Sequence, residues 1–325
     1  MQMDIVSLGE VLIDVFPSEV GRRLTEVTSF QPKPGGAPAN AAVAAARLGA
    51  RSAFIGKVGE DIWGHYLEDV LEAEGVDTRG LRYDPEARTT LVFIAKPDEN
   101  TAEFVFYRNP GADMLLRPDE LDEDLLRNTR CLHFGSLSLI VEPSGSATLA
   151  AAEIARQAGA LISFDVNYRP TLWQSAPDAL ERVKAMIPRV DLLKVNETEL
   201  RILSGLDDLG QAAASLVELG PALCVVTLGP DGSHYQTRRG GKSLPPFRVH
   251  TVDAIGCGDA FIAGLLYQLV KDGRRLEDLS PARLDRALRY ANAVGALTAT
   301  KLGVIPALPT AAQVEEFLRD KTLGV

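Results

Sequence analysis

From about residue 131 onward, short apolar runs alternate with stretches in which apolar residues recur at helical spacing. The runs fall at 131–134, 161–164, 192–195 and 223–228, and the helical patterns at 144–157, 178–187 and 211–219. That rhythm predicts a parallel sheet wrapped by helices. The run at 5–8 supplies another strand. After it, Gly35-Gly36-Ala37-Pro38-Ala39-Asn40 opens an alanine-rich helix in which Pro38 suits the first turn and Gly49 the stop. A second helix at 62–74, capped by Asp61 and stopped by Gly75, sets Trp63, Leu67, Val70 and Leu71 on one face and reads as scaffold. Two segments, at about 12–33 and 89–110, break the rhythm; the second holds the β-rich Thr90-Leu91-Val92-Phe93-Ile94 and Glu103-Phe104-Val105-Phe106-Tyr107. They predict a small inserted sheet, economically a lid over a site, with an extension of the main sheet as the alternative. With no internal repeat and no clear linker, residues 1–325 read as a single α/β domain.

Composition narrows the function. A chain of 325 residues with 46% hydrophobic side chains buries a large core. The net charge of −10 and pI near 5 argue against a general nucleic-acid surface, while leaving room for a local basic pocket. Cys131, Cys224 and Cys257 each lie in or beside an apolar run, which fits a reducing compartment and points to no metal site. No basic leader opens the chain and no apolar run approaches the ~20 residues of a membrane span, so the expected location is the cytoplasm.

Ligands of parallel sheets sit beyond the C-terminal ends of the strands. The residues there are polar and specific: Asp165-Val166-Asn167-Tyr168-Arg169, Asn196-Glu197-Thr198-Glu199, and Leu228-Gly229-Pro230-Asp231-Gly232. The most informative segment is Val252-Asp253-Ala254-Ile255-Gly256-Cys257-Gly258-Asp259-Ala260-Phe261. Gly256 and Gly258 permit close approach of the backbone to a ligand, and a helix beginning near Gly258 aims unpaired N–H groups and its positive dipole end at the same spot. Asp259 beside such an anion hole is placed to take a proton from a substrate hydroxyl during phosphoryl transfer; an aspartate at a helix start for dipole reasons alone is the alternative.

Four motifs in order, the 35–40 helix start, Asn196-x-x-Glu199, Thr227-x-Gly229-x-x-Gly232 and Gly256-Cys257-Gly258-Asp259, resemble the PfkB/ribokinase-like carbohydrate kinases over essentially the whole chain. The stretches Gly9-Glu10-Val11-Leu12-Ile13-Asp14, 106–116 and 301–310 are similar to fructokinases in particular. The resemblance implies a three-layer α/β/α sandwich with a β-sheet lid. Where the family has threonine and alanine, this chain has Ala254 and Cys257. Because the anion hole is made of backbone amides, activity is expected to survive both changes, whereas a thiol at a helix start has either a lowered pKa or a buried, inert character.

By resemblance, Asp14, Gly35, Gly36, Asn40, Phe106, Arg108 and Arg169 surround the sugar. Asp259 is the base, and the amides of Gly256, Cys257 and Gly258 hold the transferring phosphate. Thr227, Gly229, Gly232, Asn292 and Gly295 contact ATP. Asn196 and Glu199 order Mg²⁺ and its waters, a reading compatible with an ordinary helix cap. Asp253, the Ile255 carbonyl, Thr298, Lys301 and Gly303 surround a monovalent cation, K⁺. The leading expectation is an ATP-dependent fructokinase acting on the 6-hydroxyl of D-fructose. A rival is a 2-keto-3-deoxygluconate kinase, in which Arg108 and Arg169 grip the substrate carboxylate. A non-catalytic sugar- or nucleotide-binding relative is the alternative of another class. The inserted strands are also expected to pair two subunits as a homodimer.

Overall fold

The computed structural model describes residues 2–19, 21–95, 103–173 and 175–323. Its first half runs β1 (Ile5–Leu8), β2 (Leu12–Pro17), β3 (Phe30–Gly35), α1 (Ala37–Arg47), β4 (Ser52–Gly59), α2 (Ile62–Ala73), β5 (Val76–Asp84), β6 (Leu91–Ala95) and β7 (Glu103–Tyr107). It continues through α3 (Glu123–Arg127), β8 (Cys131–Gly135), α4 (Ser144–Gln157), β9 (Leu161–Asp165), α5 (Ala176–Met186), β10 (Leu192–Asn196) and α6 (Glu197–Ser204). The last third holds α7 (Leu209–Glu218), β11 (Leu223–Thr227), β12 (Ser233–Thr237), β13 (Gly240–Leu244), α8 (Cys257–Asp272), α9 (Pro281–Thr298) and α10 (Ala311–Leu323).

Nine strands form one sheet in the order β13-β12-β11-β10-β9-β8-β1-β4-β5. The seven from β11 to β5 are parallel, and β12 and β13 extend one edge antiparallel. Strand alternation sends successive side chains to opposite faces. In β11, Leu223 and Val225 join the core against α1, α8 and α9, whereas Cys224 and Val226 join the core against α4 to α7. Two cores on two faces make the three-layer sandwich. The chain winds outward from β1 in one direction and from β8 in the other, so a crevice opens above the ends of those two strands.

The segments that broke the rhythm form a separate four-stranded sheet, β3-β2-β6-β7, with β2 and β6 parallel and the other pairs antiparallel. Strands β2 and β3 interrupt the connection from β1 to α1, and β6 and β7 follow β5. The part of the expected lid at residues 96–102 lies outside the described residues. Scaffold predictions hold closely: Asp61 caps α2 through the amides of Trp63 and Gly64, and Gly49 and Gly75 take positive φ where α1 and α2 stop. Of the four expected face residues of α2, Leu67 and Leu71 are fully buried, while Trp63 and Val70 pack at the margin of the core. Strands β4 and β5, which no pattern singled out, complete the far edge.

Candidate active site

The site lies where β1, β8, β9 and β10 end beneath the small sheet. Gly256, in the left-handed region at φ 79°, caps α8, which therefore starts at Cys257, one residue before the expected Gly258. A β-carbon on Gly256 would stand 2.3 Å from Val304 Cγ1, so only glycine makes this turn. The Cys257 amide reaches the Ala254 carbonyl at 3.4 Å. Asp259 follows in the first turn of α8, and its Oδ2 accepts a 2.9 Å hydrogen bond from Asn40 Nδ2 in α1. That bond joins the double-glycine helix to the anion-hole helix.

Asp14 comes from the lid strand β2. Leu12, Phe16, Val92 and Phe106 cluster on one lid face; the register pairs Asp14 with Val92 and Val92 with Phe106, which puts Asp14 and Phe106 on that same face. A β-carbon on Gly35 would stand only 2.1 Å from Asp14 Oδ2, and one on Gly36, at φ 104°, only 2.5 Å from the Glu10 carbonyl oxygen. The two glycines let this turn close against Asp14 and Glu10. Burial pushes Asp14 up to about 7, helped by the charge of Asp259 and opposed by Arg169. Burial likewise pushes Asp259 up to about 6, opposed by the Asn40 hydrogen bond and by the charges of Lys194 and Arg169. A carboxyl so poised ionises near neutrality and is a competent proton acceptor there. Arg169 thus stands within electrostatic reach of both acids.

Arg108 is neither a surface charge nor free. It is buried, its Nε and Nη2 donate to Asp113 Oδ2 at 2.7 and 2.6 Å, and Nη2 also reaches the Leu137 carbonyl at 3.3 Å. Asp113 Oδ1 accepts in addition from the Thr90 hydroxyl at 2.6 Å.

Asn196 and Glu199 form a complete capping box on α6. Glu199 is buried; its Oε2 accepts from the Asn196 amide at 2.8 Å and its Oε1 from the Tyr168 amide at 2.7 Å. Burial and the neighbouring Asp165 raise its pKa. With both oxygens engaged by backbone amides, this carboxylate would meet the expected Mg²⁺ only through water. Among the described residues no group of three or more His, Cys, Asp or Glu side chains is arranged to hold a metal ion. Around Asp253, Oδ1 accepts from the Ile255 amide at 3.2 Å and Oδ2 from the Gly303 amide at 3.4 Å, drawing the 253–255 turn and the 299–303 loop together. This junction is where the monovalent cation was expected. Thr298 spends its hydroxyl on the Val294 carbonyl, and the Lys301 side chain is exposed, so neither side chain is aimed there.

Of the residues expected to contact ATP, Thr227 ends β11 and donates to the Val195 carbonyl at 3.4 Å. Gly229, at φ 55°, has open space where a side chain would be. At Gly232, expected to contact phosphate or ribose, a β-carbon would stand 2.2 Å from the Leu244 carbonyl oxygen, so its smallness also serves the packing of the chain at the end of β13. Asn292 donates to the Pro245 carbonyl at 3.3 Å, and Gly295 lets α9 lie against the Cys257 carbonyl, 3.3 Å from where its β-carbon would be. Burial raises the Cys257 thiol to about 12, with Asp253 and Asp259 adding to the effect, which favours the inert alternative although the residue is only partly buried.

Three charged residues in the crevice carried no role in the sequence reading. Glu10 is buried with Oε1 on the Ala37 amide at 3.2 Å, and burial lifts it to about 7. Lys194 and Asp165 form a buried ion pair at 2.8 Å, side by side at the ends of β10 and β9. Lys194 gives no signal beyond a charge within an apolar strand, whereas Asp165 opens the polar stretch that follows its strand and Glu10 lies in the 9–14 stretch.

The chain matches the model of the pfkB family carbohydrate kinases over residues 2–311. It is 46% identical over 316 residues to probable fructokinase-4 of Arabidopsis thaliana, covering 97% of this chain and 96% of that protein. Among solved structures, the fructokinase of Xylella fastidiosa with bound ATP superposes with a TM-score of 0.91 at 32% identity, covering 99% of this chain and 100% of the other. The fructokinase of Vibrio cholerae O395, bound to fructose, ADP and calcium, gives 0.87 at 32% identity over 98% and 99% of the two chains. Fold, motif order and similarity along nearly the full length agree: the chain belongs to the pfkB family of carbohydrate kinases.

Proposed function

We propose that this protein is an ATP-dependent fructokinase that transfers the γ-phosphoryl group of ATP to the 6-hydroxyl of D-fructose. The observation that carries this reading is the convergence on Asp259: an ionisable carboxyl at the start of α8, bonded to Asn40 and facing Asp14. Asp14 and Asn40 orient the sugar hydroxyls, with Gly35, Gly36 and Phe106 shaping the wall. Asp259 accepts the proton of the attacking hydroxyl, and the backbone at 256–258 together with the positive end of α8 offsets charge on the phosphoryl group. Arg169 neutralises that charge from the other side.

Arg108 favours a neutral hexose over a keto-acid. Its Nε and Nη2 are engaged by Asp113 and the Leu137 carbonyl, so the bidentate edge that would grip a substrate carboxylate is already in use. Around the reacting hydroxyl the carboxyl groups of Asp14, Asp165 and Asp259 outnumber the two cations, Lys194 and Arg169, a balance that disfavours an anionic sugar acid.

Mg²⁺ carried by ATP, with Glu199 and Asn196 steadying its waters, shields the triphosphate when bound. A monovalent cation at the Asp253 junction stabilises the 253–256 turn. The open edge of the lid, where β7 exposes Phe104, Val105 and Tyr107, supports pairing of two subunits in the cytoplasm. A panel of fructose, glucose, ribose, adenosine and 2-keto-3-deoxygluconate with ATP, run with the Asp259→Asn variant, tests the assignment. Fructose turnover that falls by ~10²–10⁴ in the variant is expected; preference for the keto-acid, or full activity in the variant, overturns it.

A further inference from the structure

Lys194 sits where a solvent-facing lysine would not. It lies on the same side of β10 as Leu192, which packs in the core beneath α1, α8 and α9, so its side chain rises toward α8. Its Nζ stands 3.2 Å from where a β-carbon on Gly258 would be, and 2.8 Å from Asp165 Oδ2. The other Asp165 oxygen is buried without a hydrogen-bond partner. A buried ion pair contributes little net stability, because desolvation offsets the attraction, and an apolar pair would serve the core as well. This one lies in the floor of the site.

We infer that Lys194 is a positioning residue for phosphoryl transfer: paired with Asp165 beneath the start of α8, it sets the ionisation of Asp259. The inference rests on Asp259 being the general base. The groups that bear on Asp259 come from every side: Asn40 of α1 donates to it, Asp14 faces it from the lid, Arg169 approaches from the loop after β9, and Asp165 and Lys194 lie below on β9 and β10. Lys194 is buried among the carboxylates of Asp165, Glu199 and Asp259 and donates to Asp165 Oδ2 at 2.8 Å. Lys194 and Asp165 push Asp259 in opposite directions, the cation down and the anion up. Only removing the two separately reveals their effect.

The test is the pH profile of fructose kcat/KM for four variants: Lys194→Met, Lys194→Arg, Asp165→Asn and the double variant. In Lys194→Met the Asp259 carboxylate loses its favourable charge, and the acid limb moves to higher pH by on the order of one unit. In Asp165→Asn it moves to lower pH, in the double variant it returns toward the parent, and Lys194→Arg leaves it in place. A structural role alone lowers kcat and melting temperature without moving the limb. Limbs that stay fixed in both Lys194→Met and Asp165→Asn, or that move in the same direction, overturn the inference. Should Lys194→Met fail to fold, Asp165→Asn and the double variant decide on the same criterion. The Asp259→Asn control keeps the two claims separate, since full activity there removes the base itself, whereas fixed limbs with an inactive Asp259→Asn remove only the role of Lys194.

Discussion

Gly35→Ala is a substitution whose effect the structure quantifies. The new β-carbon would stand 2.1 Å from Asp14 Oδ2. Ordinary heavy-atom contact is roughly 3.5 Å, so the carboxylate must withdraw by more than ~1 Å. Gly35 is not among the glycines with positive φ, so alanine fits its backbone and the fold remains intact. The clash is borne by the end of a short side chain in the proposed sugar site. Misplacing a group in such a site by 1 Å costs ~10²-fold, and that loss is expected in kcat/KM for fructose, with the KM for ATP and the melting temperature close to the parent. A double-mutant cycle isolates the cause: in an Asp14→Ala background the same substitution meets no carboxylate and should be nearly silent. Unchanged fructose kinetics, or an equal penalty with and without Asp14, would refute the reasoning.

Three further outcomes follow from the geometry. Because burial raises Asp14 from 3.8 to about 7, the folded state holds its proton more tightly than the unfolded chain, and the associated stability is lost as pH rises from about 4 through 7; Asp14→Asn should melt above the parent at pH 8 and match it below pH ~4 by scanning calorimetry. Gly256→Ala forces a left-handed conformation that costs ~1–2 kcal/mol, and drives a β-carbon to within 2.3 Å of Val304, so it should lower both denaturant midpoint and turnover. With its thiol raised to about 12, Cys257 should escape alkylation by iodoacetamide at pH 7.5, read by mass spectrometry; rapid labelling in the folded protein would contradict the inert assignment.

Much of this molecule was legible because its signals are local. The alternating strand and helix runs, the Asp61 cap and the glycine stops each act within a few residues, and all appear where expected. The lid strands stood out because their β-branched and aromatic residues interrupt a helical rhythm. What stayed hidden depends on distant partners. A lysine within Leu192-Leu193-Lys194-Val195-Asn196 gives no sign that Asp165 on the next strand neutralises it. Arg108 reads as an available cation until Asp113 and Leu137 are found around it. Gly232 sits in a nucleotide-like motif, yet its space is taken by the Leu244 carbonyl, from a strand two places further along the chain.

The Asn40–Asp259 hydrogen bond spans 219 positions of the chain. During synthesis, the residues proposed to orient the sugar leave the ribosome long before α8 exists. No early segment of the polypeptide can therefore hold sugar and proton acceptor together, and a chain interrupted before residue 256 carries half a pocket with no means of consuming ATP. The long closure makes phosphoryl transfer a property of the finished fold, so a partly made chain draws nothing from the nucleotide pool while it waits for the rest of itself.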